Sequence, residues 1–219
     1  MAIDIRLNPI VDAGLADIGD LAKLAGLAAR NGATLIQYRD KTNSTREMII
    51  RAKAFRDALV GTGVPFVVND RVDVAMAAGA DGVHLGADDM DHVTARRLLG
   101  PAAIIGLTVK TPADADRAGR GAASYACIGG VFETLSKHNP DPPVGLNGFR
   151  RLRARLRVLD PKLPVGAIAG IGLERVPDVI AAGADGIAVI SAIFRAPDIG
   201  RACDDFRRTV DDALRGIQR

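Results

Sequence analysis

The stretch Phe66-Val67-Val68-Asn69-Asp70, followed by Asp81-Gly82-Val83-His84-Leu85-Gly86-Ala87-Asp88-Asp89, decides how this chain is read. Each part holds an apolar run long enough for one buried strand, and each run ends in carboxylates and small polar groups. A parallel strand covered on both faces is a continuous hydrophobic run, so polar chemistry belongs at its ends. Acids delivered to the same end by consecutive strands converge on one hard cation. The pattern suggests a magnesium site serving phosphate chemistry.

Outward from that stretch, short β-type runs alternate with helical patterns. Strands are expected at 7–11, 34–38, 65–68, 82–85, 103–107, 125–128, 164–168 and 186–190. Helices are expected at 17–30, 45–60, 72–78, 91–99, 112–119, 147–158, 173–181 and 199–215. Ser44-Thr45-Arg46-Glu47 is a start signal, because hydroxyl and glutamate can satisfy each other's orphan N–H groups. In the sixth helix Leu146, Phe149, Leu152, Leu156 and Leu159 fall at helical spacing. That puts Arg150, Arg151, Arg153, Arg155 and Arg157 largely on the outer, solvated face.

Eight β/α pairs point to an α/β fold of the (β/α)8 TIM barrel type, a closed parallel eight-stranded sheet, with residues 1–219 as a single domain. An internal echo agrees, since Ala77-Ala78-Gly79-Ala80-Asp81-Gly82 recurs as Ala181-Ala182-Gly183-Ala184-Asp185-Gly186. Each copy ends a helix on glycine and enters a strand, so Asp81 and Asp185 read as turn residues at the bottom of the barrel.

Bulk composition narrows the function. With 48% hydrophobic residues the chain can bury a large core, and a net charge of +3 is too mild for nucleic acid. The absence of Trp also removes the stacking platforms of single-strand binders. No apolar stretch reaches the roughly 18 residues needed to span a bilayer, and no signal segment opens the chain. Cys127 sits in an apolar run and reads as a reduced core thiol. A cytoplasmic protein acting on small anionic molecules is expected, with its oligomeric state left open.

Chemistry in such barrels sits at the carboxyl ends of the strands. Strand two runs into Gln37-Tyr38-Arg39-Asp40-Lys41, strand three into Asn69-Asp70, and strand four into Gly86 through Asp89. Thr108 and Lys110 follow strand five, and a long loop from Gly129 through Thr134, Leu135, Ser136 and Lys137 follows strand six. Ala169-Gly170-Ile171-Gly172 follows strand seven, and Ile190-Ser191 ends strand eight. Arg39, Lys41 and Lys137 are cations suited to phosphate oxygens. Asp70 and Asp89 are oxygen ligands suited to Mg2+. Thr134, Ser136, Gly170 and Ser191 offer hydroxyls and approachable N–H groups, the last two where this fold commonly binds phosphate. Structural alternatives stand beside these roles. Arg39 could pair with Asp40 at the rim, Asp70 could cap the third helix, Thr134 and Ser136 could be plain loop residues, and Asp88 could replace Asp89. His84 reads better as a structural histidine than as a general base. The loop at 130–145, rich in Gly and Pro, is the candidate lid.

These residues resemble the thiamine phosphate synthase (thiamine-phosphate pyrophosphorylase) family. Its Gln-x-Arg-x-Lys pattern is matched by Gln37, Arg39 and Lys41, its Asn-Asp by Asn69 and Asp70, and its Gly-Ala-Asp-Gly-Val-His-Leu-Gly-x-x-Asp by residues 79–89. Its Phe-x-Thr-x-Thr/Ser-Lys loop is similar to the segment reaching Thr134, Ser136 and Lys137. The resemblance implies a transferase of thiamine biosynthesis. It joins 4-amino-5-hydroxymethyl-2-methylpyrimidine diphosphate to a thiazole phosphate, releasing Mg-bound pyrophosphate by a dissociative displacement. By the same resemblance Gln37, Tyr38, Arg39, Asp40, Lys41, Asn69, Thr108 and Lys137 hold the pyrimidine diphosphate, and Asp70 and Asp89 hold Mg2+. Thr134, Leu135, Ser136, Gly170, Ile190 and Ser191 hold the thiazole phosphate. Lys137, with Arg39 and Thr108, carries the catalytic expectation. Ala87, Gly130, Ala169 and Thr108 depart from the common Gln, Pro, Gly and Ser, which bears on affinity more than on reaction type. Two other readings are a thiazole tautomerase-like isomerase, whose proton-transfer histidine would stand near Gly130, and a non-catalytic phosphate-binding regulatory barrel.

Overall fold

Burial on both faces makes the apolar runs into strands, and their parallel pairing makes a ring. The structure, a computed structural model, describes residues 3–18, 20–134 and 142–217. Its strands are β1 (Leu7–Asp12), β2 (Ile36–Arg39), β3 (Phe66–Asn69), β4 (Gly82–Leu85), β5 (Ile104–Val109), β6 (Tyr125–Ile128), β7 (Val165–Ile168) and β8 (Gly186–Val189). They pair in chain order, all parallel, and β8 returns to β1 through Leu7–Ile187, Asn8–Ala188 and Pro9–Val189 to close the barrel.

The helices are α1 (Leu21–Arg30), α2 (Thr45–Leu59), α3 (Val72–Ala78), α4 (His92–Leu99), α5 (Pro112–Ala118), α6 (Gly145–Leu159), α7 (Val176–Ala181), α8 (Ser191–Phe194) and α9 (Ile199–Ile217). The start signal at Ser44 is a complete capping box with Glu47. The expected first helix splits, because Asp20 caps α1 by accepting from Ala22 N and Lys23 N, and a 3-10 turn occupies Ala13–Ile18. The expected seventh helix also splits into a 3-10 turn, Leu173–Arg175, and α7, whose first turn accommodates Pro177. The short α8 is not anticipated by the sequence pattern.

Side chains alternate across each strand, which sorts the core into two parts. Leu7, Val11, Ile36, Tyr38 and Val68 pack outward against the helices, while Ile5, Ile10, Leu35, Val67, Tyr125, Cys127 and Ala188 fill the ring. Burial pushes the Cys127 thiol up to about 12, which keeps it protonated. On α6 the arginines do more than face solvent. Arg155 makes a bidentate pair with Asp116 at 2.5 and 2.7 Å, and Arg157 reaches Asp185 at 3.1 Å.

The repeated hexapeptide acquires a physical meaning at the bottom of the barrel. Asp81 accepts the Phe66 N–H on Oδ2 at 2.7 Å, and Asp185 accepts the Val165 N–H on Oδ2 at 2.8 Å. Each aspartate thereby satisfies the first N–H of the preceding strand. The glycine that follows is required in both copies, since a Cβ at Gly82 or Gly186 would collide with the backbone of Ile104 or Ile5. Finally, α9 buries Gly200, Cys203, Phe206 and Val210 and ties the two ends of the ring together. Arg207 donates to the Gly32 carbonyl at 3.1 Å, and Arg6 donates to Asp211 at 2.9 Å.

Candidate active site

A cavity of about 520 Å³ opens where the strands end at their carboxyl termini. Gln37 and Arg39 enter it from β2, because alternation turns them inward. The same alternation turns Tyr38 outward, where its ring packs 4.8 Å from that of Phe55 on α2. Asp40 is buried behind the loop, accepting from Tyr38 Oη at 2.6 Å, from the N–H groups of Thr42 and Asn43 at 3.0 Å, and from the Asn43 amide at 2.8 Å. The side chains of Tyr38 and Asp40, expected within the substrate-holding segment, thus point away from the cavity. They build the loop that presents Arg39 and Lys41.

Arg39 pairs with Asp12 at the end of β1, not with Asp40, because the β1–β2 register sets Asp12 opposite Arg39. Lys41 pairs with Asp70. Asp70 does not cap α3, whose N-cap position is Arg71 and has no side-chain cap. Instead its backbone adopts φ 64°, an uncommon left-handed conformation, and its N–H donates to the His84 carbonyl at 2.8 Å. That turn aims its carboxylate at Asp89. Asp89 in turn accepts the Gly86 N–H at 2.6 Å, whereas Asp88 is exposed. Burial first, then contact with the Asp70 carboxyl, raises the Asp89 pKa above the usual carboxylate value.

Two facing carboxylates suit a small divalent cation. Mg2+ takes one or two carboxylates and completes its shell with water and phosphate oxygens. Among the described residues no group of three or more His, Cys, Asp or Glu side chains gathers at one point, so a site for a softer metal has no ligand set. The residues present fit magnesium.

Asn69, His84 and Thr108 form the cavity's polar floor, and Lys110 also lines it. His84 sits between Tyr125 Oη and Thr108 Oγ1, each 2.9 Å from a ring nitrogen. Across the cavity the wall is backbone and small side chains: Thr134, Ala169, Gly170, Gly172, Ile190 and Ser191. Here Ala169 (φ 91°) and Gly170 (φ 63°) are both left-handed, and a Cβ at Gly170 would strike the Glu133 carbonyl. Arg175 lies 4.4 Å over the Phe132 ring and donates to the Gly170 carbonyl at 2.8 Å. Because a trans peptide points its C=O and N–H in opposite directions, this hold turns the Ile171 N–H the other way. Asp70 and Ala169 are the non-glycine residues with positive φ among the described residues, and both stand where strands end at this cavity.

The structure thus brings together Gln37, Arg39, Asn69, Thr108, Thr134, Gly170, Ile190 and Ser191 around one space, with Lys41, Asp70 and Asp89 forming a joined cluster beside Asn69. Leu135, Ser136 and Lys137, with the rest of 135–141 in the middle of the candidate lid, lie outside the described residues. Lys110 and Arg195 line the cavity without having been assigned to it. Lys110 alternates inward with Thr108, a signal the period of two contains. Arg195 reaches the cavity only because α8 intervenes.

A sequence model of the family described as thiamine monophosphate synthase matches residues 7–193. The chain is 67% identical over 216 residues to the thiamine-phosphate synthase of Agrobacterium fabrum, covering 99% of this chain and 98% of that one. It is 42% identical over 208 residues to the thiamine-phosphate synthase of Chloroflexus aurantiacus, covering 95% and 94%. Among solved structures, the thiamine phosphate pyrophosphorylase from Pyrococcus furiosus superposes with a TM-score of 0.83 at 36% identity, over 97% of this chain and 98% of that one.

Proposed function

The chain belongs to the thiamine monophosphate synthase family, and we propose that its cavity joins 4-amino-5-hydroxymethyl-2-methylpyrimidine diphosphate to a thiazole phosphate. The activity is that of a pyrophosphate-releasing transferase. In the proposed reaction the bond from the pyrimidine methylene carbon to the diphosphate oxygen breaks, and its electrons leave with the pyrophosphate. The thiazole nitrogen then forms the new carbon–nitrogen bond.

The observation that carries this reading is the joined cluster of Asp70, Asp89 and Lys41 next to Asn69, which lines a cavity that also holds Arg39, Thr108 and the loops after β7 and β8. Two phosphorylated substrates need two unlike subsites. Gln37, Arg39, Lys41, Asn69 and Thr108 would hold the diphosphate, with the two cations already oriented by Asp12 and Asp70. Asp70 and Asp89 would hold Mg2+, which when bound supplies charge stabilisation to the departing pyrophosphate. Thr134, Gly170, Ile190 and Ser191 would hold the thiazole phosphate. Gly130 lines the cavity with no side chain to move a proton, which speaks against the isomerase. The proposed partners are these small molecules. Among the described residues no helix is long and apolar enough to cross a membrane. A cytoplasmic setting is proposed on the free, buried thiols of Cys127 and Cys203.

Incubating the purified protein with both substrates and Mg2+, and following thiamine phosphate and pyrophosphate, tests the proposal. Interconversion of the thiazole tautomers instead would favour the isomerase, and binding without turnover would favour the regulator. From the sequence alone, Lys137→Ala should lower kcat by at least about tenfold, roughly 1.4 kcal/mol of barrier. An unchanged kcat removes Lys137 from the chemical step.

A further inference from the structure

His84, Gly106 and Tyr125 lie in one row across β4, β5 and β6, paired through their backbones. The middle residue has no side chain, and a Cβ there would run into both the Tyr125 ring and His84 Nδ1. Glycine at 106 thus opens a path through the barrel interior. Tyr125 uses it to bring Oη within 2.9 Å of His84 Nδ1, while His84 Nε2 lies 2.9 Å from Thr108 Oγ1. Tyr125 is buried below the cavity, and His84 and Thr108 line it. Three polar groups therefore run in series from the barrel interior to the cavity floor.

The protons of this series can be assigned from Tyr125. Burial raises its phenol well above the ordinary value, so it keeps its proton. Among the described residues its hydroxyl bonds only to His84 Nδ1. A buried O–H without an acceptor is costly, so Tyr125 must donate and Nδ1 must accept. A neutral imidazole then carries its proton on Nε2 and donates to Thr108 Oγ1. The hydroxyl proton of Thr108 cannot also point back at that N–H, and turns toward the cavity. In the other tautomer Thr108 would donate to the ring and show only lone pairs to the cavity, the wrong polarity for a polyanion.

We infer that Tyr125 is a positioning residue, which fixes the Nε2–H tautomer of His84 and thereby makes Thr108 a hydrogen-bond donor to a diphosphate oxygen of the substrate. The identity of the acceptor rests on the function proposed above; the tautomer does not.

The test is a long-range proton–nitrogen correlation spectrum of the full chain labelled with 15N-histidine. His84 is expected with bare Nδ1 and protonated Nε2, and a protonated Nδ1 in the wild type overturns the inference, even if no variant folds. In Tyr125→Phe the Nδ1–H form should become populated, and kcat/KM for the pyrimidine diphosphate should fall about tenfold, the scale of one hydrogen bond to a charged group. Thr108→Val should lose the same factor, Thr108→Ser should recover most of that loss by restoring the hydroxyl, and Tyr125→Phe should add little on top of Thr108→Val. A folded Tyr125→Phe protein with unchanged tautomer or unchanged kcat/KM would refute the assignment. If no thiamine phosphate forms at all while the tautomer is as expected, the function proposal fails and the proton assignment stands.

Discussion

At the amino ends of the strands Asp81 and Asp185 each accept a backbone N–H from the preceding strand, whereas at the carboxyl ends Asp70 and Asp89 are turned against each other. The residue type is the same and the ring is the same. The lower pair is satisfied one carboxylate at a time, by donors the fold provides locally. The upper pair is brought together by a left-handed turn at Asp70 and a short loop at Gly86, and burial together with the nearby Asp70 carboxyl raises the cost of ionising Asp89. The lower aspartates serve the first N–H of a strand, whereas the upper two lie against each other with Lys41 beside them, an arrangement suited to a divalent cation.

The sharpest way to break this comparison is at the upper pair. Asp70→Asn or Asp89→Asn should lower kcat/KM by roughly a hundredfold or more, the scale on which charge-stabilising groups act. The thermal midpoint of Asp89→Asn should stay near level, relief of the contact with Asp70 offsetting a weaker acceptor for the Gly86 N–H. Retained pyrophosphate release in these variants would abolish the distinction. At the lower pair, Asp185→Ala should cost about 1–3 kcal/mol by leaving the Val165 N–H without its acceptor. That corresponds to about 2–4 °C in Tm per kcal/mol, with kcat unchanged.

A third aspartate sharpens the contrast through pH. Burial alone would raise the Asp40 pKa, but donation from Tyr38, Thr42 and Asn43 outweighs it and holds the carboxyl down to about 2. A depressed folded-state value means that ionised Asp40 stabilises the fold above its unfolded pKa, and that this contribution fades as pH falls through about 2. Tyr38→Phe should therefore destabilise by roughly 1–2 kcal/mol at pH 7. Urea unfolding should show the gap narrowing from about pH 4 downward. A gap independent of pH would mean that the hydroxyl matters only for packing. The smallest effect is expected at Ala169, whose φ of 91° suits glycine. Ala169→Gly should raise stability by a few tenths of a kcal/mol, relief of strain being partly offset by backbone entropy. A loss of stability would show the strain there to be negligible.

Much of this arrangement is legible in the sequence, for identifiable reasons. Strands buried on both faces leave apolar runs, so β4 and β6 match their expected bounds and the others shift by a residue or two. The hexapeptide echo is legible because both copies solve one problem, a glycine beside a neighbouring strand and an aspartate for its N–H. The outward turn of Tyr38 was available from strand periodicity and is missed when Gln37 to Lys41 is taken as one motif. What is not legible is long-range. The pairing of Arg39 with Asp12 depends on the register between β1 and β2, and no local pattern records it. Nor does anything near Arg195 announce the four-residue α8 that brings it to the cavity.

The pairing of β1 with β8, clasped by α9, has a consequence for the order in which the protein is made. The chain leaves the ribosome with β1 long before β8, so Leu7 to Pro9 wait with one side of their backbone ladder unfilled. During that interval the half-built sheet has an open, sticky edge, and contacts so distant in sequence form slowly. Newly made copies should depend on chaperones until Gly186–Val189 arrives to seal the gap.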